Sequence, residues 1–460
     1  MKRICQLLGI TVTLSLGLLS CSSSEDEVSF GETKVVVNML SESELIELST
    51  EHRQFVADNN RFAMNFLKMV NEEYPYRTGK SFVYSPLSIT YVLGMVNDAA
   101  TGLTEKELEE TLGFHEGGIQ AVNDYCKKLI DGLPKVDNKV TLNIANAIFL
   151  NKNFTLKPQF TQDMQTYYDA KAEALDFKAP ETLDHINGWC NEKTNGIIPT
   201  ILDEIDPAIM SYLLNAIYFK ADWASKFDPK NTTKETFTSE AGNWDLIHEP
   251  HMFTYELPMM HQKVLINYCR NTTFSAVRIP YDNGMWTITI ILPEGDNTTY
   301  DIINFIHNFG LSEIESYPFS TMGEQYLEGD FSPHEVDLKL PRFETTSDTD
   351  DLAINMEDGL IGLMKKMGIN RAFDEGMAEI PNMCEQPVYI EIMRQKAKIK
   401  VNEEGSEAAA VTVAGDTNES MGSGSVEYPK ATFHANRPFV YVIRENSSGV
   451  ILFVGKYTGA

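Results

Sequence analysis

The sequence predicts one large α+β domain, with helices gathered mainly in the first part of the chain and strands mainly in the rest. Three observations lead there. Apolar residues recur at helical spacing between residues 53 and 99, whereas from residue 212 onward the apolar runs alternate or are continuously β-branched. The chain of 460 residues is 43% hydrophobic and 10% aromatic, which is enough apolar material for a sizeable core. No Pro/Gly/Ser-rich linker and no fixed-period repeat divides its body.

The N-terminus is set apart from that domain. Lys2 and Arg3 precede an apolar run over residues 7–19, too short to cross a bilayer as a stable helix, so residues 1–20 read as a signal peptide. Its end, Leu18-Leu19-Ser20-Cys21, resembles the lipobox of bacterial lipoproteins with Leu19 a slight departure, and the resemblance implies acylation of Cys21. The alternative is an ordinary cleavage site beside a chance cysteine. Residues 21–50 form a tether, because Ser22-Ser23-Ser24-Glu25-Asp26-Glu27 is polar and acidic and cannot pack. That run also resembles the Ser-plus-acidic export signal of Bacteroidetes-type lipoproteins, which implies an exported protein on the outer membrane, exposed at the cell surface. A solvated charge run is the plainer reading.

Residues 51–460 are the domain. In the first helix, residues 53–71, Phe55, Val56, Phe62, Phe66, Leu67 and Val70 share one face. Ser85-Pro86-Leu87-Ser88 starts a second, buried helix over residues 89–99, with Pro86 in the first turn where its missing N–H is not needed. A third follows Thr101-Gly102-Leu103, and Thr104-Glu105-Lys106-Glu107 has the spacing of a capping box. Residues 141–149 and 212–219 read as strands, with a helix over 186–194 between them. Residues 286–292 form a continuous apolar strand that predicts burial on both faces. Further strands are expected at 336–340, 389–401, 439–444 and 450–455, a helix at 360–367, and a turn at Asn446-Ser447-Ser448-Gly449.

A net charge of -28 excludes nucleic acid as a partner class, since phosphate binding needs a basic footprint. Besides Cys5 and Cys21, the cysteines are Cys126, Cys190, Cys269 and Cys384, far apart and in no Cys-x-x-Cys pattern, so no metal is expected. Export permits disulfides among them, and free buried thiols fit equally. No cofactor motif is present either. A hydrolase would need a Gly-x-Ser-x-Gly elbow or a His-Glu-x-x-His helix. His248-Glu249-Pro250-His251 has the wrong spacing, and its proline opposes a helix.

The informative stretch is 403–425, a long connection with no apolar anchor in its middle. A disordered insertion would look similar. However, Ser406, Ala408, Ala410, Thr412 and Ala414 are all small and fall at alternate positions, so one face of the segment can enter a sheet without clashing. Val411 and Thr412 favour an extended form over the helix that three alanines would support. The segment is built to be a loop in one state and a strand in another.

Glu403-Glu404-Gly405-Ser406-Glu407-Ala408-Ala409-Ala410-Val411-Thr412 resembles the hinge of the reactive-centre loop of inhibitory serpins, with Val411 in a place usually given to a smaller residue. The likeness runs from about Phe55 to the end. Ser85, Pro86 and Ser88 resemble the family's shutter. Asn215 and Trp223 lie in Leu214-Asn215-Ala216-Ile217-Tyr218-Phe219-Lys220 and just after it, which resembles the strand leading to the breach. Ile279-Pro280-Tyr281 and Phe433-His434-Ala435-Asn436-Arg437-Pro438-Phe439 are similar to further landmarks. Counting back from Gly405 puts Gln395 where many members carry a shutter histidine. Gln keeps a donor and an acceptor there but does not titrate.

The resemblance implies a serpin-like α+β fold: a large central mixed sheet, smaller further sheets, about nine helices and an exposed loop at about 403–430. It implies a monomer and not an enzyme: a suicide inhibitor whose partners are serine proteases held in a covalent complex, with cysteine proteases as a second target class. Forward counting puts the cleaved bond at Glu419-Ser420. Counting back from Phe433 lands near Gly424, and Met421-Gly422 lies between. Extended, residues 405–419 span roughly 50 Å at about 3.3 Å per residue, enough to cross a sheet. The alternative is a non-inhibitory, surface-anchored binding protein on the same fold.

Overall fold

The computed structural model describes residues 45–73, 79–115, 117–240, 252–294, 331–354, 359–406 and 427–459, with short pieces at 34–35, 302 and 305–306. Cys21, residues 407–412 of the hinge and residues 419–422 lie outside the described residues.

The first element among the described residues is a short strand, β1 (Lys34–Val35), whose backbone pairs in parallel with Val264 and Leu265. Helix α1 (Thr50–Glu72) follows, started by Ser49, whose side chain accepts from the His52 amide at 3.1 Å. Its apolar stripe is buried as the spacing predicts. Next come β2 (Phe82–Tyr84) and α2 (Pro86–Ala99). Ser85 caps α2, accepting from the Ser88 amide, and Pro86 occupies the first turn. Nearly every residue of α2 is buried, because the helix lies against strands of both sheets described below.

Helix α3 (Gly102–Leu112) departs from expectation. It starts before Thr104, and its N-terminal residue Thr101 makes no side-chain cap. Glu379 caps it from far along the chain: the Leu103 amide donates to Glu379 Oε2 at 2.9 Å and the Thr101 amide to the Glu379 carbonyl. Thr104 Oγ1, already inside the helix, accepts from the Glu379 amide. A distant carboxylate placed on the helix N-terminus satisfies the donors that the local capping box would have served.

The remaining elements are α4 (Gly118–Gly132), β3 (Thr141–Asn151), α5 (Pro158–Tyr168), β4 (Lys171–Leu175), α6 (Glu181–Lys193), β5 (Ser211–Asp222), β6 (Thr233–Glu240), β7 (Met252–Arg270), β8 (Phe274–Tyr281), β9 (Trp286–Pro293), β10 (Ser332–Pro341), β11 (Phe343–Asp348), α7 (Leu360–Met367), β12 (Ile392–Val401), β13 (Gly405–Ser406), β14 (Lys430–His434), β15 (Phe439–Glu445) and β16 (Ile451–Tyr457). Among the described residues there are thus seven α-helices. The strand expected at 389–401 starts later, at Ile392.

Two sheets organise these elements. The central mixed sheet runs β11-β12-β13-β5-β3-β4. The other strands connect through β7, whose 19 residues pair in turn with β6, β10 and β8, so the expected smaller sheets join into one path ending β9-β15-β16-β2. All residues of β9, β15 and β16 are buried. Buried side chains of this size each contribute about 1.5–3 kcal/mol. Their contacts gather Thr33–Ala460 into one compact unit.

Candidate functional site at the opening of the central sheet

The site arises where two parallel strands part. β5 and β12 pair from Tyr212–Ile392 to Ile217–Ala397, and there their ladder stops. β5 takes up its next partner only at Ala221 and Asp222, which lie beside Ser406 and Gly405. Ser406 also pairs with Val401 on β12. The two-residue strand β13 therefore sits between β5 and β12 at one end of an opening in the sheet.

Asn402 makes the reversal that brings the chain there. Its Oδ1 accepts from the Glu404 amide at 2.9 Å and the Gly405 amide at 3.2 Å, and its own amide donates to the Gly405 carbonyl. Gly405 is required by close approach. A Cβ on it would lie 2.1 Å from the Ala221 carbonyl oxygen and 2.5 Å from the Asp222 Cα, both backbone atoms that cannot turn aside. Ser406 is fully buried, and its Oγ lies 2.8 Å from the Tyr281 hydroxyl. Burial pushes the Tyr281 phenol well above its usual range, against a smaller opposing effect of the Ser406 bond.

Trp223 holds the turn from the other side. Its indole stacks on Tyr281 at 4.6 Å and 8°, its Nε1 donates to the Asn402 carbonyl at 2.8 Å, and its amide donates to the Glu404 carbonyl. The Phe227 amide donates to the Glu403 carbonyl. The two acids are held in different ways. Glu403, buried, receives Arg342 Nη2 at 2.6 Å and Nε at 3.1 Å, with the Thr232 hydroxyl at 2.6 Å. Burial raises the Glu403 carboxyl, and the Arg342 and Thr232 bonds outweigh it, leaving the group below its ordinary value. Glu404 lies nearer the surface and pairs with Lys226 at 2.6 Å.

Deeper in the same sheet, three amide side chains stand in one row. Asn146 is directly opposite Asn215 in the β3–β5 register, and Gln395 is opposite Asn215 in the β5–β12 register. Asn215 Nδ2 donates to Asn146 Oδ1 at 2.9 Å, and Gln395 Nε2 donates to Asn215 Oδ1 at 2.8 Å. Gln395 then bridges to the start of α2: Nε2 donates to the Ser85 carbonyl at 3.0 Å, and Oε1 accepts from the Ser85 amide at 2.9 Å. The Gln395 amide donates to Thr349 Oγ1. All these groups are buried, so each bond matters through the penalty its loss would leave.

The structure thus joins Ser85, Asn215 and Gln395 in one network and brings Trp223 to Glu403, Glu404 and the reversal that leads to Gly405. Pro86 starts α2 beneath the row. The Ser88 hydroxyl stays outside it, buried and without a hydrogen bond among the described residues. Sequence reasoning missed Asn146, Thr349, Arg342, Thr232 and Asn402. The one legible signal was an Asn among the inward residues of the 141–149 strand. The four cysteines in the described residues are free and buried, and burial pushes the thiols of Cys126, Cys190 and Cys384 up.

A family model described as Serpin (serine protease inhibitor) matches residues 57–459. Glia-derived nexin from Rattus norvegicus is 28% identical over 400 residues, covering 85% of this chain and 90% of that protein. The leukocyte elastase inhibitor from Xenopus laevis is 28% identical over 405 residues, 86% of this chain and 97% of that one. The solved structure of human thyroxine-binding globulin complexed with thyroxine is similar with a TM-score of 0.71 at 24% identity, over 89% of this chain and 98% of the other. At that identity the likeness speaks for the fold.

Proposed function

Because the chain belongs to the serpin family, we propose that it is a suicide inhibitor of serine proteases. The observation that carries this reading is the seat of β13: Gly405 and Ser406 already lie between β5 and β12, at the mouth of an opening where the β5–β12 ladder has stopped. A segment that starts there, with small residues at alternate positions, is placed to continue into the sheet.

In the proposed reaction the protease serine Oγ attacks the carbonyl carbon of Glu419 or Met421, and the hydroxyl proton passes to the protease's own base. The peptide C–N bond then breaks, and the new amine of Ser420 or Gly422 leaves with a proton. The protease remains joined by an ester to the residue before the break. The severed segment inserts from Ser406 onward between β5 and β12, and the Gln395–Asn215 bond, which joins those two strands, must break to admit it while Asn146 stays bonded to Asn215. The free energy of completing the sheet pulls the protease away from the geometry it needs for deacylation. Acylation at Cys21 would hold the inhibitor on the outer membrane at the cell surface, as a monomer.

The test is to incubate the protein with elastase-like, chymotrypsin-like, trypsin-like and acid-preferring serine proteases, with a cysteine protease beside them, and to look for an SDS-stable complex. Mass spectrometry of the released C-terminal peptide identifies the cleaved bond. Cleavage by all of them without a complex would favour the second reading, a non-inhibitory, surface-anchored binding protein on this fold.

A further inference from the structure

The opening between β5 and β12 has a definite depth. Ser406 is opposite Ala221 of β5 and Val401 of β12, and the β5–β12 ladder is closed again at Ile217 and Ala397. Residues 218–220 on one strand and 398–400 on the other therefore face each other unpaired. β13 is antiparallel to both strands, so continuing its register by one residue puts position 407 opposite Lys220 on one side and Lys400 on the other. Side chains alternate along a strand, so both lysines project to the face opposite that of Ser406, the face that a residue at 407 would share.

Two observations give that placement a meaning. Lys220 is half-buried and Lys400 exposed, and neither side chain has a hydrogen bond or an ion pair among the described residues. The carboxylates nearest to them are engaged by other cations: Asp222 with Lys226 at 2.9 Å, and Glu344, across from Lys400, with Lys398 at 2.8 Å. In the sequence, Glu407 is the one charged residue between Gly405 and Gly415. A charge carried into a sheet needs a partner, and the two free ammonium groups stand at the places that flank it. We propose that Lys220 and Lys400 are a charge clamp that holds Glu407 when the segment after Ser406 enters the sheet. Glu407 itself lies outside the described residues.

The clamp rests on the inhibitor reading and adds an order of events to it. Residues 407–409 fill the three open places without breaking the β5–β12 ladder, whereas residue 410 reaches Ile217 and Ala397, where that ladder is closed. Glu407 is thus held before the strands must part. Lys220 and Lys400 are positioning residues, acting on the inserting segment and not on the protease. Each opposite-charge pair across neighbouring strands favours the paired state by up to about fivefold.

The test compares wild type with the double variant Lys220→Gln, Lys400→Gln, each intact and each cut within residues 415–425, by unfolding rate in urea, which adds no ionic strength. Cutting should make wild type much slower to unfold. The cut double variant should unfold about tenfold faster than cut wild type, the two intact proteins should unfold alike, and about 0.5 M sodium chloride should narrow the difference. Reversing all three charges, Glu407→Lys with Lys220→Glu and Lys400→Glu, should restore the slow rate. The clamp is overturned, and the inhibitor reading left standing, if both cut proteins are slowed equally, if the intact double variant loses as much as the cut one, or if the reversal restores nothing. If cutting slows unfolding in neither protein, the segment does not enter the sheet, and the inhibitor reading falls together with the clamp.

Discussion

Ser406 Oγ and the Tyr281 hydroxyl share a hydrogen bond of 2.8 Å with both residues buried, so the first residue of the segment proposed to insert is fastened to the phenol on which Trp223 stacks. Removing one partner leaves the other buried and unsatisfied, at a cost of about 1–3 kcal/mol, whereas removing both is nearly neutral. Tyr281→Phe should therefore lower the thermal midpoint by about 1–3 °C at fixed scan rate, and Ser406→Ala added to it should restore most of the loss. A double variant no better than the single would show that the bond is not the coupling between them.

The Glu403–Arg342 pair predicts an acid dependence. Glu403 is held below its ordinary value in the folded state, so its contribution is complete above the unfolded carboxyl range, about pH 4.3, and is lost as pH falls through the lower folded value. Glu403→Gln should flatten the melting profile between about pH 5 and pH 3, and Arg342→Ala should cost about 1–2 kcal/mol at neutral pH, since the guanidinium is half exposed. An unchanged acid limb in Glu403→Gln would refute the assignment.

At the row of amides, Gln395 does not titrate. Gln395→His keeps a donor for Asn215 and introduces an imidazole among buried partners, so it should create a stability change between about pH 5 and pH 8 beyond any in wild type. Gln395→Leu instead leaves the Asn215 side-chain oxygen and the Ser85 amide unserved and takes one of two donors from the Ser85 carbonyl, which keeps the Ile89 amide, and should cost about 2–5 kcal/mol. Differential scanning fluorimetry across pH separates the two outcomes.

Lys456 of β16 is fully buried, with Nζ 2.7 Å from Asn71 Oδ1 and 5.4 Å from the Phe82 ring centre. Burial lowers its ammonium to about 7. The unfolded chain then binds more protons than the folded one between about pH 7 and pH 10, so stability rises with pH through that window. Lys456→Met, similar in length and uncharged, should remove the rise; a slope that survives would assign it to another group.

Ala410 lies outside the described residues, but it is an even step along the chain from Ser406, whose side chain faces Tyr281. Ala410→Arg would carry a charge to that buried face on insertion. The variant should keep the wild-type melting temperature and be cleaved without forming a stable protease complex. If it still traps proteases as wild type does, the inward register is wrong.

Local signals were legible where chemistry and structure were neighbours in the chain. Ser85 and Pro86 announce α2, the unbroken apolar run at 286–292 announces a strand buried on both faces, and small residues at alternate positions announce a segment able to enter a sheet. The resemblance to the serpin shutter, counted back from Gly405, put Gln395 near Asn215, and the structure bonds the two side chains at 2.8 Å. The capping box at Thr104 failed for the opposite reason. Two ways of satisfying the same helix donors were available, and only the folded chain reveals that Glu379, from far downstream, takes them.

The sequence by itself determined α1, α2 and the strands β3, β5, β9, β10, β15 and β16, the alternation that suits its loop to a sheet, and the family to which it belongs. The tertiary structure alone decided that β5 and β12 part after Ile217 and Ala397, that Ser406 fills the mouth of the gap against Tyr281, and that Arg342 meets Glu403. Periodicity is a property of consecutive residues, whereas a gap between strands and the partner of a buried charge depend on which distant segments the core brings together.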